Sequence, residues 1–244
     1  MSFESVIEFL KQNIRVVEVV SIILLIILIG FLVVAAIRFE GKNGKETKPI
    51  KKMVALSMLA ALSVVLYYYV KFPLAGLIQT IPSFLDIHFS NVPIYIGGYL
   101  FGPFSGTIIA IIRFIVKLPG SSTLGVGELA DLIIGVVTVI ISSMIYHKKN
   151  SLSNKIWSAV SIPVIWTIIG VVSNWLVILP FYIGLYDFET ILAMLIVIPG
   201  INESNYMVMY LLYAILPFNL ILSIMVSIIT FLLNKRLMII YEKL

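Results

Sequence analysis

Asn174, in "VVSNWLVILPFY", and Asn219, in "LPFNLI", are side-chain amides set in otherwise apolar stretches. An amide presents a donor and an acceptor side by side, which suits the imide or amide edge of a heterocycle. Each also stands within two turns of a proline, Pro180 or Pro217. Proline frees a backbone carbonyl, and an amide that satisfies it would be helix glue instead of a ligand contact. Glu128 and Asp131, in "GVGELAD", are three apart and share one helix face. Arg113 lies in mid-segment, and an ionisable group at membrane depth is a site hypothesis by default. Its plainer reading is an ion pair with one of those two acids that braces a bundle. Phe89, Tyr95, Trp175, Tyr182 and Phe218 offer stacking surface, although aromatics near helix ends often form an interfacial belt. Charge is scarce elsewhere, yet "LDIHFSNVPIYIGGYLFGP" groups Asp86, His88, Ser90 and Asn91 before a ten-residue apolar run.

The elements that must carry these residues are set by composition. The chain has 244 residues, 61% hydrophobic and 12% charged, with a mean hydropathy of +1.11. Soluble domains carry about 25% charge, so this is an all-α polytopic membrane protein. Apolar segments run over 16–37, 53–70, 92–101, 104–118, 126–146, 156–181 and 206–233. The third, as a helix of about 15 Å, is too short for a bilayer core of about 30 Å. The first has a long apolar core preceded by Glu4 and Glu8, which favours a retained helix over a cleaved signal.

Most of the 17 basic residues fall in three regions: Arg38 to Lys52, Lys148 to Lys155, and Lys235 to Lys243. If all seven segments alternate, these regions share one face, which the positive-inside rule makes cytoplasmic. The N-terminus is then outside, the C-terminus inside and the "LDIHFSN" run outside. Lys11 and Arg15, before the first segment, oppose this weakly. The pI near 9.3 is thus explained by membrane sidedness, without nucleic acid.

Catalytic patterns are missing. There is no cysteine, no H-E-x-x-H, no G-x-S-x-G and no Walker A sequence. "GVGE" and Tyr186-Asp187 echo intramembrane aspartyl protease motifs only in the wrong order and with one Glu. The expectation is no enzyme, no metal and no cofactor, but a membrane protein that binds a small molecule.

With these residues assembled, the chain resembles the substrate-binding S component of energy-coupling factor (ECF) vitamin transporters, riboflavin-binding type. The resemblance rests on "LDIHFSNVPIYIGGYLFGPFSGTIIAIIRFIVK" (85–117), "GELADLIIG" (127–135), "NWLVILPFY" (174–182) and "PFNLILS" (217–223). It implies a six-helix bundle over 53–244 with a short second helix, binding a vitamin near its outer face under a lid formed by the loop before that helix. Residues 1–52 add one N-terminal transmembrane helix and a basic linker outside the family core; it is either a simple anchor or packs on the bundle.

The resemblance implies ligand contacts at Asn174 and Asn219; together with the residue readings, the expected ligand-binding set is Asn174, Asn219, Glu128, Asp131, Phe89, Asn91 and Tyr95. The resemblance also implies a partner-helix contact at Ser57 and Ala61, a small-xxx-small pair. The implied partners are a membrane coupling subunit and two cytoplasmic ATPases, with riboflavin as transported ligand. The chain departs from the family pattern at Asn91, Arg113-Phe114, Asp131 and Leu222; the last replaces a lysine close to the ligand. Another vitamin, a modified flavin, or an assembly protein of the same fold are the alternatives.

Overall fold

The computed structural model describes residues 14–43, 48–76, 78–121 and 123–243. Glu4, Glu8, Lys11 and Lys45 lie outside the described residues. The order is α1 (Ile14–Asn43), α2 (Pro49–Tyr69), a hairpin of β1 (Lys71–Pro73) and β2 (Asp86–His88), α3 (Val92–Phe101), α4 (Pro103–Lys117) and α5 (Val126–Lys148). There follow α6 (Leu152–Ser173), α7 (Leu179–Tyr186), α8 (Phe188–Leu195), α9 (Tyr206–Tyr210) and α10 (Leu216–Lys243). A π-turn at Asn174–Ile178 joins α6 to α7, and one at Leu211–Ile215 joins α9 to α10. Six helical stretches are long and apolar enough to cross a membrane.

The short α3 is the centre of the bundle, with all ten of its residues buried. It need not span, because α2, α4, α5 and α10 surround it. Glycines allow this crowding. A methyl group on Gly97 would strike Ile109 of α4, and one on Gly98 would strike Ser143 and Val139 of α5. Neighbouring helices, and no open space, therefore occupy the room those glycines leave. Gly98 carbonyl also accepts a hydrogen bond from His147 Nε2 at 3.0 Å.

Each π-turn ends two residues before a proline, Pro180 or Pro217. A proline ring clashes with the carbonyl four residues back and supplies no N–H. Widening the preceding turn relieves that clash, and such π-bulges recur at functional sites. The hydrogen bonds show the widening: Leu179 N–H reaches Asn174 O, and Leu216 N–H reaches Leu211 O, each five residues back. The stretch left between the last two apolar segments, 182–205, is partly helical: Asp187 caps α8 by accepting from Thr190 N at 2.8 Å.

Candidate binding site

Asn174, at the start of the first π-turn, and Asn219, in α10 just after the second, line one cleft. Trp166, Gly170 and Asn174 are spaced four apart and share one face of the α6 stretch. Gly170 has no side chain because Asn219 fills that space; a methyl group there would collide with it. Asn219 Oδ1 accepts from Trp166 Nε1 at 2.9 Å, and its Nδ2 donates to Ile215 O at 2.8 Å. An indole N–H can only donate, so this fixes which way the amide points. Asn174 repeats the design: Nδ2 donates to Gly170 O at 2.8 Å, and Oδ1 accepts from Tyr210 Oη at 3.3 Å.

These bonds correct the simple helix-glue reading. Each amide does bond its own helix, but at the carbonyls of Gly170 and Ile215, not those freed by the prolines. One N–H and one acceptor lone pair of each amide stay available beside the cleft.

The acids line the same cleft. Glu128 is 3% exposed and accepts from Ser121 Oγ at 2.6 Å, Thr123 Oγ1 at 3.1 Å and Tyr67 Oη at 3.4 Å. Asp131 Oδ2 takes Lys117 Nζ at 2.8 Å and His88 Nε2 at 3.3 Å. The expected pairing of Arg113 with a carboxylate is therefore not formed. Lys117, one turn further along α4, occupies Asp131, while Arg113 donates to Ser90 Oγ at 2.7 Å and to the backbone carbonyl of Asp131 at 3.2 Å. Lys117 is itself buried, with its ammonium 3.1 Å from the centroid of the Tyr67 ring.

His88 links this ionic cluster to the β1–β2 hairpin. Ser90 Oγ accepts from Arg113 and lies 3.0 Å from His88 Nδ1, while His88 Nε2 faces Asp131. The hairpin pairs Lys71 with His88 and Pro73 with Asp86, and a Lys71–Asp86 contact of 3.5 Å crosses it. Lys71, Phe84, Leu85, Asp86 and His88 all line the cleft, so the hairpin and its loop form one wall.

Of the expected contact residues, Asn174, Asn219, Glu128 and Asp131 line the cleft, and Phe89, Asn91 and Tyr95 do not. Phe89 packs on the hydrophobic core, Asn91 is fully buried beside Arg113 and Gly135, and Tyr95 packs behind Trp166 with ring centroids 6.5 Å apart. Among the aromatics, Tyr182 and Phe218 line the cleft, while Trp175 is 54% exposed on the outside of the bundle. Sequence reasoning missed Tyr67, Lys117, Trp166 and Tyr210. The four-residue spacing of Trp166, Gly170 and Asn174, repeated by Tyr210, Ala214 and Phe218, was the available signal. Leu222 also lines the cleft, so the position where a lysine was expected does face it.

The model of the family "ECF transporter, substrate-specific component" matches residues 51–234. The chain is 29% identical over 187 residues to riboflavin transporter RibU of Staphylococcus aureus, covering 77% of this chain and 90% of that protein. It is 28% identical to riboflavin transporter FmnP of Bacillus subtilis, over 74% of this chain and 88% of that one. A solved S component of a bacterial ECF transporter superposes with a TM-score of 0.61 at 27% identity, covering 80% of this chain and 99% of that one. All are transporter components and not enzymes. The short buried helix, the paired amides and a match over most of the chain agree, and the chain belongs to the family of substrate-specific membrane components of ECF transporters.

Proposed function

We propose that this chain binds riboflavin in the cleft between the two π-turns and serves its uptake across the cytoplasmic membrane. The observation that carries this reading is the pair of oriented amides, Asn174 and Asn219, each with a donor and an acceptor left over. The pyrimidine-dione ring of riboflavin carries an imide N–H between two carbonyls, which needs that pattern. The relatives named as riboflavin transporters support the same ligand.

Membership of the family implies association with an energy-coupling module. In our reading this is a membrane coupling subunit with two cytoplasmic ATPases, docking at Ser57 and Ala61, both exposed on α2. The basic connections at Arg38–Lys52 and Lys148–Lys155 favour a cytoplasmic C-terminus with the cleft facing outward. A modified flavin is the second reading, favoured by Leu222, which gives the cleft an apolar side chain where a lysine was expected.

The test is a titration of the detergent-purified protein with riboflavin, followed through quenching of flavin fluorescence. Saturation near one equivalent is expected. Absence of quenching at micromolar protein, with quenching by a ring-substituted flavin, would replace the first reading by the second.

A further inference from the structure

The family match begins at residue 51, so it leaves α1 without a role. Its packing supplies one. Ile22, Leu25, Ile29, Leu32, Ala36 and Glu40 recur every three to four residues and form one inward stripe, while Ile23, Ile26, Ile27 and Phe31 on the other side are exposed. Ala36 is completely buried at the closest approach.

The two ends of the stripe do different things. At one end, Glu40 caps α4, which has no cap of its own because Gly102 stands at the N-cap with φ 122°. The carboxylate accepts from Ser105 N at 2.9 Å and Ser105 Oγ at 2.7 Å, and from Lys52 Nζ at 2.7 Å. Only glycine leaves space there, since a methyl group at 102 would strike the Glu40 side chain. Free N–H groups at a helix start are costly in an apolar medium, so this contact fixes α1 to α4. At the other end, Ile22 and Leu25 pack on a buried cluster of Val126 of α5 with Val177 and Ile178 of the first π-turn, against which Leu129, Ala130 and Tyr182 also pack. Ala130, Ile178 and Tyr182 also line the cleft.

We propose that α1 is a positioning helix for the binding site: Glu40 anchors it, and Ile22 and Leu25 hold the α5 wall (Glu128, Asp131) against the π-turn that carries Asn174. A helix that merely tethered the chain would need neither the cap nor the continuous stripe. The inference rests on the cleft being the ligand site, so the test has one arm that uses ligand and one that does not.

The ligand-free arm is amide hydrogen exchange on the full-length protein in detergent, comparing the parent with Ile22→Ala/Leu25→Ala, Glu40→Ala and Glu40→Gln. Exchange over residues 128–131 and 174–178 is expected to rise about tenfold in the first two variants, with α2 unchanged. Glu40→Gln keeps an oxygen for Ser105 and is expected to stay near the parent. The ligand arm is riboflavin release by fluorescence, expected to quicken about tenfold in the first two variants, a size usual for coupled elements. Unchanged exchange at both stretches, or a uniform rise through the bundle, would overturn the positioning role. If the parent takes up no riboflavin, the functional reading fails while the exchange arm still decides the role of α1.

Discussion

Asn219 combines two jobs that its substitution would separate. Its Oδ1 is the acceptor for the buried Trp166 indole N–H, and its remaining capacity faces the cleft. Asn219→Ala therefore leaves a buried donor without a partner, a cost of about 1–3 kcal/mol. A lower unfolding temperature and weaker riboflavin binding are both expected, read by thermal melting and by titration on one preparation. Gly170→Ala is the sharper probe, because it keeps every polar group and changes only the space that Asn219 occupies. It is expected to weaken binding at least about tenfold, as misplaced contacts do, and an unaltered titration would show that the orientation of Asn219 is not needed. At this scale the sequence was informative for the two asparagines, since an amide in an apolar helix stands out against its neighbours. It was silent on Lys117. A lysine at a helix end reads as one that reaches for the interface, and only the approach of Tyr67 and Asp131 turns it inward. Phe89 and Tyr95 carried motif resemblance, but their side chains sit behind the wall of the cleft.

The elements are held by contacts that cannot be removed one at a time. Lys117 is 1% exposed and Asp131 is its only carboxylate within 4 Å among the described residues. Asp131→Asn would leave a buried ammonium without a counter-charge, a loss of roughly 3–5 kcal/mol. Lys117→Met/Asp131→Asn is expected to melt above the Asp131 single variant, since the orphaned charge is gone as well. A double variant no more stable than the single would mean that the ion pair carries little of the stability. Gly98→Ala tests α3 in the same way. The added methyl meets Ser143 and Val139, and overpacking of that kind costs about 1–3 kcal/mol. The number of apolar spans and the shortness of α3 were legible from hydropathy and length alone. The π-turns were not, because a proline inside an apolar run signals a break without saying how the turn before it yields.

For the whole molecule, the cleft and the exposed small-residue face of α2 are separate surfaces. Ser57 and Ala61 lie on an exposed face of α2, and α1 packs on α4, α5 and the first π-turn. Ala61→Leu is accordingly expected to leave riboflavin affinity unchanged and to lower uptake into cells or proteoliposomes carrying the coupling module. Loss of binding in that variant would place Ala61 within the ligand-holding core instead. The sequence separated a family core from an extra first helix but left its packing open, because every face of that helix is apolar. Only tertiary contacts pick out the stripe from Ile22 to Glu40.

The central claim is that two amides, each locked by an aromatic donor and its own helix, read the imide edge of riboflavin. An experimental structure of the riboflavin-saturated protein tests it most directly. The pyrimidine-dione edge is expected within hydrogen-bond distance of both Asn174 and Asn219, with Trp166 and Tyr210 still donating to them. A flavin ring elsewhere in the bundle, or turned with its imide edge away from both amides, would contradict it.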